Sequence, residues 1–136
     1  MFDRFHRRIN YVRISVTDRC NLRCRYCMPE GGISWKAHEE ILSYEEILRI
    51  VRVLASLGIT KVRLTGGEPL IRKDLASFIE ELKKVPGIKR TAVTTNGLLL
   101  KKELPALEAA GLDGINLSID SLDSRIFQKI ARSPKA

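Results

Sequence analysis

The sequence has no apolar run of about 20 residues, so nothing in it reads as a membrane-spanning helix. Its first ten residues mix Asp3, Arg4, His6, Arg7 and Arg8 with two phenylalanines and lack the apolar stretch of a secretory signal. Aromatic residues are scarce at 6%, which leaves few stacking platforms for single-stranded nucleic acid. Beyond Arg8 no basic run exceeds two residues, so there is no basic tail. Histidine is almost missing: His6 and His38 are the only two, and neither has the spacing of a zinc finger. A disulfide framework is a poor reading of Cys20, Cys24 and Cys27, an odd and tight cluster. These absences argue against a membrane protein and against nucleic acid as partner, and they place the chain in the cytoplasm. There, clustered cysteines point to metal or redox chemistry.

What is present describes one domain. The chain has 136 residues, 44% of them hydrophobic, enough for a real core. Lys and Arg outnumber Asp and Glu by 24 to 16, and the net charge of +8 suggests an anionic partner. Short β-like runs alternate with amphipathic helical patterns. Strands are expected over Tyr11–Val16, Lys61–Thr65, Thr91–Thr95 and Gly114–Ile119. A helix opens at Ser43 to Glu46, which has the S-x-x-E form of a capping box. Others are expected from about Asp74, from Lys102 to Ala110 with Pro105 near the first turn, and after Asp123. Four βα units in series predict an α/β fold with a parallel sheet and right-handed crossovers. A flat doubly wound sheet and a section of a βα barrel both fit that order.

The strand faces favour the barrel. Val12, Ile14 and Val16 alternate with Tyr11, Arg13 and Ser15, and Val62 and Leu64 alternate with Arg63 and Thr65. Strands buried on both faces would read as continuous apolar runs. The apolar faces are therefore expected to receive helices, and the polar faces to line a shared wet cavity.

The irregular stretch from about Cys20 to Leu42 is too long for an ordinary βα loop and holds all three cysteines. Its motif is C-x3-C-x2-C. Three thiolates can hold three irons of a four-iron cluster and leave the fourth iron open to an external ligand. Zinc remains an alternative, although a structural zinc site would want a fourth protein ligand. Directly after the second strand, Gly66-Gly67-Glu68-Pro69 permits a ligand to approach the main chain closely.

The cysteine motif with Tyr26 before its last cysteine resembles the signature of the radical S-adenosylmethionine superfamily. The resemblance implies a [4Fe–4S] cluster whose open iron is chelated by S-adenosylmethionine. Reduction by an external electron donor would then release a 5′-deoxyadenosyl radical. It implies that Cys20, Cys24 and Cys27 are the metal ligands and that Tyr26, Gly67 and Ser118 contact the cofactor. Tyr11–Asp18, Val62–Pro69, Ala92–Gly97 and Gly114–Asp123 further resemble the GTP 3′,8-cyclases, lyases of molybdenum-cofactor synthesis. That family would use Arg13, Arg63 and Thr94 to hold GTP. Two arginines on a polar strand face suit a triphosphate. Its members are much longer and carry a C-terminal extension with a second cluster. Residues 1–136 are therefore expected to be the N-terminal part of a radical S-adenosylmethionine core, a truncated partial barrel without that extension, with little or no cyclase activity alone. Two other readings stay open: a different enzyme of the superfamily acting on a peptide or cofactor, and a non-catalytic iron–sulfur or zinc module that binds nucleic acid. Homo-oligomers are compatible with all three.

Overall fold

The computed structural model describes residues 2–134. Its strands are β1 (Tyr11–Ser15), β2 (Lys61–Thr65), β3 (Arg90–Thr95) and β4 (Gly114–Leu117). They form one sheet in that order, and each neighbouring pair is parallel. Between and after them run α1 (Tyr44–Ser56), α2 (Leu75–Lys84), α3 (Leu100–Ala109) and α4 (Ser124–Ala131). A doubly wound sheet reverses its strand order at a switch point. Here the order simply advances, so crossovers of one hand drop successive helices on the same face. That winding makes an α/β partial barrel.

The core lies between the helices and the outer strand face. Val62, Leu64 and Val93 are fully buried against Ile47 and Val51 of α1, Phe78, Ile79 and Leu82 of α2 and Leu107 of α3. Each such side chain contributes roughly 1.5–3 kcal/mol on burial. The β3 face is less apolar than alternation suggests, because Thr91 and Thr95 are also buried there. Both hydroxyls are satisfied, Thr91 by Asp113 at 3.2 Å and Thr95 by Glu68 at 2.8 Å. The opposite face carries Arg13 beside Arg63 and Thr94 beside Asn116, as the parallel register requires.

Local signals explain most element ends. The expected capping box is formed: Ser43 Oγ accepts from the Glu46 N–H at 3.2 Å, and Glu46 Oε2 accepts from the Ser43 N–H at 2.7 Å. Helix α3 starts two residues before the expected Lys102, so Pro105 lies inside the helix. The cause is a turn at Asn96-Gly97, where Asn96 Oδ1 accepts from the Leu98 N–H and the Gly97 carbonyl from the Leu100 N–H. Strand β4 stops at Leu117, so Ser118 is not a strand residue as expected, although its N–H still bonds the Thr95 carbonyl at 2.8 Å.

Candidate active site

All four strands deliver their following loops to the C-terminal edge of the sheet, where parallel α/β folds bind ligands. The loop after β1 and the loop after β2 lie back to back. The Gly67 N–H bonds the Thr17 carbonyl at 2.9 Å, and the Glu68 N–H bonds the Arg19 carbonyl at 2.8 Å. A Cβ on Gly66 would strike the Thr17 carbonyl, and one on Gly67 would strike the carbonyls of Arg19 and Asp18. The two glycines thus let one main chain touch another, one residue before Cys20. Gly67 is exposed, its N–H is committed, and no donor among the described residues bonds its carbonyl. That carbonyl can accept a hydrogen bond from an ammonium group.

Glu68 is the opposite case. It is 1% exposed, and its carboxylate accepts from the Leu70 N–H at 3.0 Å, the Thr95 hydroxyl at 2.8 Å and the Asn96 N–H at 2.7 Å. It fastens the glycine loop to the end of β3 and has no free reach toward a ligand.

The cysteine loop rests on α4. The Arg23 and Arg25 N–H groups donate to the carbonyls of Ala131 and Ile130, both at 2.9 Å, and Arg132 Nη1 donates to the Met28 carbonyl at 3.0 Å. Leu22, Phe127 and Ala131 form a small second core against which Cys20 and Cys24 pack. Cys27 is exposed. Burial pushes the Cys20 thiol above its ordinary pKa, opposed by the Leu22 N–H that reaches Cys20 Sγ at 3.4 Å. Cys24 is raised by burial as well. Charge on Cys27 adds to the rise at Cys20, and charge on Cys20 and Cys27 to the rise at Cys24, so taking up a metal must expel protons. Arg23 has only a minor part in this: its guanidinium is spent on the carbonyls of Cys20 and Leu22, each at 3.1 Å.

Among the described residues no three His, Cys, Asp or Glu side chains converge on one ion. A four-iron cluster makes a different demand, since each thiolate takes its own iron and the ligands need to line a rim. Three thiols within one run from Cys20 to Cys27, with an N–H already on one sulfur, meet that demand. The donor set therefore fits the cluster.

Tyr26 projects from the same loop and is 69% exposed. Its hydroxyl donates to Asp120 Oδ2 at 3.1 Å, just past β4. Its pKa is pushed up to about 12, chiefly by desolvation and then by the Asp120 carboxylate. Ser118, two residues before Asp120, is exposed at the same edge. Tyr26, Gly67 and Ser118 thus stand on three loops of one rim.

The other expected group lies on the inner sheet face. Arg13 and Arg63 are register partners. The Arg63 guanidinium carbon lies 5.5 Å from the centre of the Tyr11 ring, and its Nε is a buried donor with no partner among the described residues. A buried donor on a basic face suits an anionic ligand. A cavity of about 430 Å³ opens at the N-terminal ends of the strands, lined in part by Tyr11, Lys61, Arg63 and Arg90; Arg13 and Thr94 are not in its lining.

A family model described as the radical SAM superfamily matches residues 14–136. The chain belongs to the radical SAM superfamily. The superfamily's cofactors are a [4Fe–4S] cluster and S-adenosylmethionine, in keeping with the donor set above. A GTP 3′,8-cyclase of Thermodesulfovibrio yellowstonii is 58% identical over 133 residues, 97% of this chain and 41% of that protein. The molybdenum cofactor biosynthesis protein moc-5 of Caenorhabditis elegans is 52% identical over 131 residues, 96% of this chain and 22% of that protein. The chain thus spans about two fifths or less of these curated relatives. Among solved structures, SuiB of Streptococcus suis bound to S-adenosylmethionine superposes with a TM-score of 0.70 at 23% identity, over 93% of this chain and 28% of SuiB. That likeness supports the radical SAM fold.

Several residues escaped the sequence reading. Asp120 lies inside a string that marked Ser118, yet nothing local pairs it with Tyr26, 94 positions away. Phe127 reads only as part of a last helix, and nothing local singles out Arg132. Their role under the cysteines exists in the tertiary structure alone. No helix among the described residues is long and apolar enough to cross a membrane.

Proposed function

We propose that this chain forms the cofactor-bearing part of a cytoplasmic radical SAM enzyme that cyclises GTP to (8S)-3′,8-cyclo-7,8-dihydroguanosine 5′-triphosphate, in molybdenum-cofactor biosynthesis. The observation that carries the nucleotide is Arg63, whose buried Nε has no partner among the described residues and which stands beside Arg13 on the inner face. The names of the relatives supply the reaction, and the +8 charge agrees with a polyanionic substrate.

In this reading Cys20, Cys24 and Cys27 hold the cluster. The Gly67 carbonyl accepts from the amino group of S-adenosylmethionine, the Ser118 hydroxyl donates to its carboxylate, and Tyr26 covers the adenine region. Arg13 and Arg63 present guanidinium forks to the triphosphate, and Thr94 adds a hydroxyl one step along the sheet. Bound here, the cluster and cofactor would supply one-electron chemistry, fed by an external donor. The protein orients the two ligands on one wet face and keeps them in register.

The test is anaerobic reconstitution with iron and sulfide. The expected result is a brown protein with about four irons per chain, in keeping with a four-iron cluster. After one-electron reduction, the electron paramagnetic resonance spectrum of the cluster changes on adding S-adenosylmethionine, and 5′-deoxyadenosine is released. Arg63→Ala is expected to weaken GTP binding while leaving that change intact. A colourless protein with one tightly held zinc would sink the proposal. A reduced enzyme that cleaves S-adenosylmethionine but ignores GTP would leave the cofactor assignment and remove the substrate.

A further inference from the structure

Arg72 lies just beyond the glycine loop, closing the 3₁₀ turn Pro69–Ile71 through its own N–H to the Pro69 carbonyl. Its side chain reaches back to both ends of the loop that carries the cysteines. Nη1 donates to the carbonyl of Val16, which leads into that loop, and Nη2 donates at 2.8 Å to the carbonyl of Leu42, which leaves it. The guanidinium carbon sits 4.0 Å from the centre of the Tyr44 ring. That ring is stacked on the core residue Phe78 at 4.2 Å and 11°, and its hydroxyl donates to the Lys73 carbonyl at 3.0 Å. No carboxylate among the described residues forms an ion pair with Arg72. Its charge is directed at two main-chain carbonyls that are far apart in sequence.

We propose that Arg72 is a positioning residue that sets the spacing between the cysteine loop and the Gly67 loop, so that one S-adenosylmethionine molecule can be held from both. This rests on the reading of the site given above. Residues 16–42 contain a single three-residue 3₁₀ turn, His38–Glu40, and no longer element, so the loop needs its ends tied. A ligand gripped by the cluster on one side and by a carbonyl of the glycine loop on the other senses any change in their separation, and misplacement by about 1 Å can cost orders of magnitude. Arg72 belongs to the glycine loop in sequence and grips the cysteine loop in space. Its planar fork makes both bonds while lying flat on Tyr44; a lysine ammonium on a flexible stem cannot reproduce that geometry.

The experiment compares the parent protein with Arg72→Lys, Tyr44→Leu and the exposed neighbour variant Lys73→Gln, each reconstituted anaerobically. Iron content, thermal midpoint and the dissociation constant for S-adenosylmethionine, read by equilibrium dialysis against the unreduced protein, are measured for each. Arg72→Lys is expected to keep its iron and weaken the cofactor by at least about tenfold, the scale of one lost charge-assisted bond. Lys73→Gln is expected to match the parent. If Arg72→Lys does not fold, Tyr44→Leu decides, because it removes the ring beneath the guanidinium and leaves the fork in place; weaker binding with retained iron supports the role. Parental affinity in every variant that folds overturns the role of Arg72 alone. A parent protein that takes up iron but shows no response to S-adenosylmethionine overturns the reading of the site and this role with it.

Discussion

Replacing Gly67 by alanine isolates the contact on which the site is built. The added methyl would meet main-chain carbonyls of Asp18 and Arg19, which cannot rotate aside as a side chain could. Two outcomes are open to the chain. It can keep the contact under strain, at about 1–3 kcal/mol for an overpacked position. It can instead part the loops and give up the 2.9 and 2.8 Å bonds from Gly67 and Glu68, at about 1 kcal/mol each. The two courses meet at about 2 kcal/mol, and a mixture of both approaches about 4. For a domain of this size that lowers the thermal midpoint by roughly 6–12 °C. Gly31→Ala is the control. Nothing lies within 4 Å of a Cβ there, so its effect is expected to stay within about 0.5 kcal/mol. Thermal and urea unfolding followed by circular dichroism measures both. Equal stability of the two variants would refute the argument, because it would mean that the loops are not in contact.

Further outcomes test the surroundings of that contact. Glu68→Gln puts an amide donor where three donors already point, and it is expected to cost about 1–3 kcal/mol in urea unfolding. Phe127→Ala empties the small core beneath the cysteines, at the lower end of about 3–5 kcal/mol, and iron bound after reconstitution is expected to fall with it. Tyr26 and Tyr44 keep their protons up to about 12, whereas an unfolded tyrosine loses its proton near about 10. The folded chain then holds more protons in that window. This contribution to stability is whole below about pH 10 and is lost as pH rises toward 12. Urea midpoints measured across that range are expected to fall, and less steeply in Tyr44→Phe; a flat profile would contradict the shifts.

Much of the architecture was legible because it is periodic. Alternation along the strands marked which face takes helices, and the Ser43–Glu46 box marked where α1 begins. The boundaries that moved did so for local reasons that periodicity does not encode. Asn96 and Gly97 start α3 early and draw Pro105 inside it. Ser118 falls past the end of β4, while its N–H keeps the pairing. Thr91 and Thr95 share the helix-facing side with Val93 and can be buried there because Asp113 and Glu68, from other segments, satisfy their hydroxyls.

By itself the sequence determined the chemistry: three thiols at C-x3-C-x2-C spacing, a double glycine after the second strand, and arginines at matching strand positions. Those are local facts, set by residue type and by the two-residue period of a strand. Only the tertiary structure decided how the parts are held. It showed that Gly66 and Gly67 serve first to let two main chains touch, and that Glu68 is a buried fastener. It also showed that α4, about a hundred positions beyond the cysteines, is the floor they rest on. Such contacts depend on hydrogen-bond partners and packing surfaces that meet only once the sheet has brought its C-terminal loops to one edge.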